Sequence, residues 1–137
     1  MINFLTKQIL LLSSFVLLFI SCSTVENDCV CSQEFRTYKV TVVDDLNHPI
    51  DSLTITIKDA GGNVLNVEQD PSSHIPGSYV VLTDAFTQMF CTCEKTDPIY
   101  FYATDGNKVT DDVFLFNTDE CRCHINKVSG PDTLVLK

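Results

Sequence analysis

Basic side chains are scarce in this chain of 137 residues, with nine Lys and Arg against 18 Asp and Glu and a formal charge of −9. Nucleic acid and anionic lipid surfaces both need a cationic face, so neither is expected as a partner of the folded domain. A solvated acidic surface that keeps the chain in solution is the simplest account of the balance. Signatures of catalysis are missing too. There is no Gly-x-Ser-x-Gly, no His-Glu-x-x-His and no glycine-rich phosphate loop. The Cys-x-x-Cys of a redox catalyst is absent. No window of three helical turns keeps an apolar stripe, which argues against a helical fold. The longest apolar stretch, Ile9 to Ile20, interrupted only by Ser13 and Ser14, falls short of the ~20 residues that a membrane span needs. These absences lead to the expectation of a non-enzymatic domain with no cofactor.

What is present begins with an address. Met1 to Ser21 carries one charge, Lys7, followed by the apolar Ile9–Ile20 stretch, which has the length of a signal-peptide core. Phe19-Ile20-Ser21-Cys22 resembles the lipobox of bacterial lipoproteins, with Phe19 in place of the commoner Leu. The resemblance implies a diacylglycerol on the Cys22 thiol, cleavage before it, and further acylation, since stable anchoring takes more than one chain. Ser23 is not the aspartate that retains such proteins at the inner membrane, so the resemblance implies the bacterial outer membrane. Glu26 and Asp28 loosely resemble the tethers of surface-exported lipoproteins, which leaves the periplasm and the cell surface both open. The expected organisation is a signal peptide over 1–21, a lipidated polar tether over 22–34 and one domain over 35–137. Without Lys7 the mature chain has 8 basic and 18 acidic side chains, a formal charge of −10.

The domain reads as strands and turns. Tyr38, Val40 and Val42 alternate with polar residues, as do Leu53, Ile55 and Ile57, and each set gives a strand with one buried face. Asp44 to Pro49 supplies turn chemistry between them, and Ala60-Gly61-Gly62-Asn63 a tight reversal before a partner strand over Val64–Val67. Tyr79–Leu82 is a short buried strand. Thr83–Phe90 fits a short helical turn and a loop equally well. Pro98–Thr104, Val113–Phe116 and Thr133–Leu136 complete the set. Short strands at such spacing predict an all-β fold, a single antiparallel β-sandwich of about seven strands.

The remaining six cysteines form three Cys-x-Cys pairs, Cys29/Cys31, Cys91/Cys93 and Cys121/Cys123. In an extended segment residues i and i+2 share a face, so each pair sets two thiols side by side. An exported chain oxidises them, and all six are candidates for disulfides. Two pairs can be joined by two bonds, or three pairs by a triangle in which each bonds once to each of the others. Spacing does not choose among the fifteen pairings open to six cysteines, and the triangle is the expectation adopted. A competing reading takes Cys121, Cys123 and His124 as soft-metal ligands. Against it, zinc sites usually space their cysteines by two to four residues.

Other candidates are weaker. His48 and His74 sit beside prolines in loops. Asp44/Asp45 and Asp111/Asp112 read as solvated turn carboxylates, without the ligand periodicity of a calcium loop. Tyr100 and Tyr102 flank Phe101 and so share a face, where they can line a ligand-binding surface.

From Tyr38 to Tyr79 the order of features resembles carboxypeptidase regulatory-like, transthyretin-related β-sandwich domains. The residues concerned are Val40-x-Val42-Val43-Asp44, Asn47-His48-Pro49-Ile50, Leu53-x-Ile55-x-Ile57-x-Asp59 with Gly62, and Pro76-Gly77-x-Tyr79. Cys123-His124-x-x-Lys127-x-x-Gly130-Pro131 resembles the closing segment of exported members. Asn47 stands where a turn glycine is usual, and the Cys91 region departs from the pattern. The resemblance implies a transthyretin-like or immunoglobulin-like sandwich and carries little function, because such modules are scaffolds with many roles. The expectation is therefore a lipid-anchored structural or interaction module of the cell envelope, with an envelope protein or a glycan as partner. The alternatives are a glycan-binding or adhesion module using Tyr100 and Tyr102, and a periplasmic soft-metal binder.

Overall fold

A computed structural model describes residues 29–69, 75–90 and 95–137 of the chain. The signal segment, Cys22, His74 and the Cys91/Cys93 pair lie outside the described residues. Within them the period-two patterns become strands. The alternation around Val40 and Val42 forms β1, Thr37–Val43, with both valines in the core. That around Ile55 and Ile57 forms β2, Thr54–Lys58. The partner strand after the Gly61-Gly62 reversal, β3, is Val64–Leu65, shorter than the pattern suggested. β4, Ser78–Thr83, buries all of Tyr79, Val80, Val81 and Leu82, as an uninterrupted apolar run requires. The ambiguous stretch after it folds as a 3-10 helix, Asp84–Met89, whose first turn is capped by the Thr83 hydroxyl accepting from the Ala85 amide.

The second half adds β5, Asp97–Thr104, and β6, Val109–Thr118. It closes with β7, Ile125–Ser129, and β8, Thr133–Val135. Two of these correct the sequence reading. Asp111 and Asp112 lie within β6, paired with Tyr102 and Phe101, and not in a turn. β7 was not expected as a strand, because among its five residues only Ile125 is buried.

The eight strands of the described residues make two sheets, in the orders β4-β1-β8 and β3-β2-β5-β6-β7. The expected all-β sandwich is the fold observed. All pairings of named strands are antiparallel but one, β8 running parallel to β1 with Leu134 opposite Val42. Val40, Val42, Leu82 and Leu134 of one sheet face Ile99, Phe101, Phe114, Phe116 and Ile125 of the other. The Tyr38 ring meets Phe116 edge-on across the layers at 5.4 Å. Aromatic edges and faces attract at that separation in addition to the area they bury.

Turns hold the strands in register. Asp44 Oδ1 accepts the amides of Leu46 and His48 at 2.8 Å each, and Asp59 Oδ1 accepts those of Gly61 and Asn63 at 2.8 and 2.9 Å. These are the local carboxylate-to-backbone bonds that make Asp a turn residue. Gly130 has φ 129°, and a Cβ there would overlap the ring of Phe114.

Candidate functional site

The end of the sandwich where β6 returns into β7 carries most of the chemistry. Asp119 shapes the return, accepting the Cys123 amide on Oδ1 at 2.8 Å and the His124 amide on Oδ2 at 3.1 Å. Its backbone carbonyl accepts the Arg122 amide, and Arg122 adopts φ 52° to close the turn. The loop presents Cys121 and Cys123 to the segment ahead of β1, which has no regular structure of its own. Two disulfides join them, Cys29–Cys121 and Cys31–Cys123, with Cα separations of 5.6 and 5.4 Å. The expected triangle is therefore corrected: the first and third pairs bond twice to each other. The two thiols of each pair face one partner pair in the same order, which leaves neither of them to reach a third. Cys91 and Cys93 are outside the described residues, and so is Cys22.

These bonds bear on the metal reading. A soft metal binds thiolates, and the sulfurs of Cys121 and Cys123 are consumed in disulfides. His124 has its own partners on both ring nitrogens. Among the described residues no three His, Cys, Asp or Glu side chains are placed to share a metal ion.

His124 lies in a hydrogen-bonded line that sequence reading did not assemble. Its Nδ1 is 2.8 Å from Asp84 Oδ2, and its Nε2 is 2.8 Å from Ser32 Oγ. His124 and Asp84 are buried, whereas Ser32 is exposed. Asp84 also accepts the Arg36 amide at 2.8 Å and the Ile125 amide at 2.9 Å, so it ties the entry to β1, the end of β4 and the start of β7 together. Burial pushes the Asp84 carboxyl up, but the Arg36 amide, the His124 bond and the Ile125 amide outweigh it and hold it below the ordinary carboxylate range. An ionised carboxylate only accepts, so Nδ1 must carry the proton it shares with Asp84. In the neutral imidazole Nε2 is then the acceptor, and the Ser32 hydroxyl donates to it.

The opposite, outer face of the larger sheet carries the tyrosines. Ile99, Phe101 and Ala103 point into the core, so Tyr100 and Tyr102 point out, 46% and 39% exposed. Tyr100 sits between Lys58 and Val113 on the neighbouring strands, and Tyr102 between Thr56 and Asp111. Together with Asp112 they line a shallow depression of about 590 Å³. Two phenol rings on one face, edged by an ammonium, carboxylates and a hydroxyl, can stack on an apolar ring face and hydrogen-bond its substituents.

The remaining candidates have local duties. His48 is exposed in its turn, 3.2 Å from Asp44, and Lys108 reaches Asp45 at 3.8 Å. Ser32 and Asp84 had no local motif to mark them, because 92 and 40 residues separate them from His124. A serine–histidine–carboxylate set is defined by geometry and not by order in the chain. In comparisons with protein-family models, with curated proteins and with solved structures, nothing matches the chain.

Proposed function

We propose that the protein is a lipid-anchored structural or interaction module of the bacterial outer-membrane envelope, a carboxypeptidase regulatory-like sandwich held close to the bilayer. The observation that carries this reading is the double disulfide between the segment that follows Cys22 and the β6–β7 loop. With an acylated Cys22, at most seven residue steps separate lipid from Cys29, a span of about 25 Å when fully extended. Without the two bonds the free tether would run on to β1; with them it ends at Cys29, which supports a reading in which the β6–β7 end of the sandwich is held nearest the lipid.

The test is the intact mass of protein extracted from envelopes, before and after reduction. The expected N-terminus is acylated Cys22, and reduction adds at least four hydrogens, two for each of Cys29–Cys121 and Cys31–Cys123. An unmodified N-terminus beyond Cys22 removes the anchor, and free thiols at these four positions remove the staple.

A second reading is favoured by the outward Tyr100 and Tyr102. Their polar surround suits a glycan, whose sugar rings offer an apolar face and hydroxyl edges, and makes adhesion the form the interaction takes.

A further inference from the structure

The line Ser32–His124–Asp84 goes beyond an interaction role. We propose that it is a nucleophilic-serine site, with Ser32 as nucleophile, His124 as general base and Asp84 as the positioning residue, acting on carboxylic esters with good leaving groups. Each part has the arrangement the chemistry needs. The nucleophile and base are within hydrogen-bond reach at 2.8 Å, and the base and its orienting carboxylate at 2.8 Å, on opposite ring nitrogens. Asp84 is itself fixed by two backbone amides, so the ring can swing only by giving up its bond to a carboxylate that is held from following it. Burial shields the base and its carboxylate, while Ser32 alone is open to solvent and to a substrate. Ser32 belongs to a segment with no strand or helix to hold it. What fixes it is the disulfide of the preceding residue, Cys31–Cys123, which joins the chain to the residue before His124.

The step balances within the site and its substrate. Ser32 Oγ forms a bond to the acyl carbon as its proton passes to His124 Nε2. The ester C–O bond then breaks, and the leaving oxygen takes that proton from His124. Water then attacks the acyl carbon as its proton passes to the same nitrogen; the acyl–Oγ bond breaks, Ser32 Oγ recovers that proton from His124, and the acid is released. The nearest cation in the segment, Arg36, is engaged with Asn126 Oδ1 at 2.7 Å and Glu34 at 3.5 Å, and does not serve the developing oxyanion. A site without that help favours aryl and other activated esters over amides, whose leaving group is far poorer.

The full-length oxidised protein is treated with a fluorophosphonate probe and, separately, with p-nitrophenyl acetate. The expected result is one adduct per chain, mapped to Ser32 by peptide mass, with fluoride or p-nitrophenolate released. His124→Gln slows labelling roughly a hundredfold or more, the usual share of a general base. Asp84→Asn also slows it, because an amide can donate to Nδ1 and turn the imidazole to the wrong tautomer. Nitrogen NMR of the His124 ring separates that from mere loosening: the proton moves from Nδ1 to Nε2. Should either variant fail to fold, the wild type decides the matter alone, since unfolding it in urea must abolish labelling of Ser32. No adduct on Ser32 in the native protein, or one formed equally fast in folded His124→Gln or in urea, overturns the proposal. Neither result touches the anchor, which is read from the N-terminal mass.

Discussion

Ser32 stands to His124 as Cys31 stands to Cys123: both pairs, like Cys29 and Cys121, are separated by 92 residues. The constant offset means that the segment from Cys29 to Ser32 runs parallel to the one from Cys121 to His124, in register, with two covalent rungs and one hydrogen-bonded rung. A covalent ladder of this kind sets the third rung by geometry and not by the strength of its own hydrogen bond.

The two disulfides are expected to contribute unequally to stability. Whichever forms first closes a loop of 92 residues and is worth about 4.5 kcal/mol in the chain-entropy model. The other then closes only a small ring between neighbouring cysteines, worth about 2 kcal/mol. Replacing Cys29 and Cys121 together, or Cys31 and Cys123 together, by alanine should therefore cost about 2 kcal/mol in urea unfolding. Replacing all four should cost about three times as much. Equal costs for the first and second removal would mean that the bonds act independently.

Asp84 should govern part of the acid sensitivity. Its folded pKa lies below the unfolded value, so its contribution is fully present above about pH 4 and is lost as pH falls through the folded value. The exposed carboxyls of Asp44, Asp59, Asp105 and Asp132 are also lowered and act with the same sign. Asp84→Asn is expected to reduce the loss of stability between neutral and acid pH without abolishing it. Asp84→Ala strands the amides of Arg36 and Ile125 and should cost about 3 kcal/mol at neutral pH, measured by urea midpoint.

On the tyrosine face, Tyr100→Ala and Tyr102→Ala should each leave stability nearly unchanged, since both rings are largely outside the core. If the face binds glycans, each loss should weaken binding on a glycan array by roughly tenfold, as expected for ~1–2 kcal/mol of ring stacking. Undiminished binding in the double variant would move recognition elsewhere.

Gly77→Ala tests a backbone constraint. Gly77 has φ 71°, and a Cβ there would lie 2.7 Å from the Val42 carbonyl oxygen. The same glycine's carbonyl accepts the Val42 amide at 2.8 Å, so the chain cannot simply back away. A cost of about 2–3 kcal/mol is expected from calorimetry, with β1 and β4 most affected in hydrogen exchange.

Strands with one buried face were plain in the sequence, because Ile55/Ile57 and Val40/Val42 must alternate if one side meets water. β7 was not, because one buried residue, Ile125, gives no period to detect. Asp111 and Asp112 looked like a turn since paired carboxylates favour solvent; both stay exposed within β6, Asp111 beside the outward Tyr102 and Asp112 opposite Phe101. The tether's bonding was beyond reach for a different reason. Which cysteines meet, and which serine meets His124, depends on where the β6–β7 loop sits against a segment of no regular structure. Only the packed sandwich fixes that position.

The rungs at Cys29 and Cys31 also decide how the protein carries mechanical load. Within the described residues, a pull arriving from the N-terminal side meets Cys29 before it meets any strand, and crosses sulfur into the β6–β7 loop. From there it spreads through β6 to β5, the strand bearing Tyr100 and Tyr102, along eight paired residues. The first strand of the described residues, β1, lies in the other sheet and stays slack. Force between tether and tyrosine face is thus borne by covalent bonds and one sheet, without peeling the sandwich open.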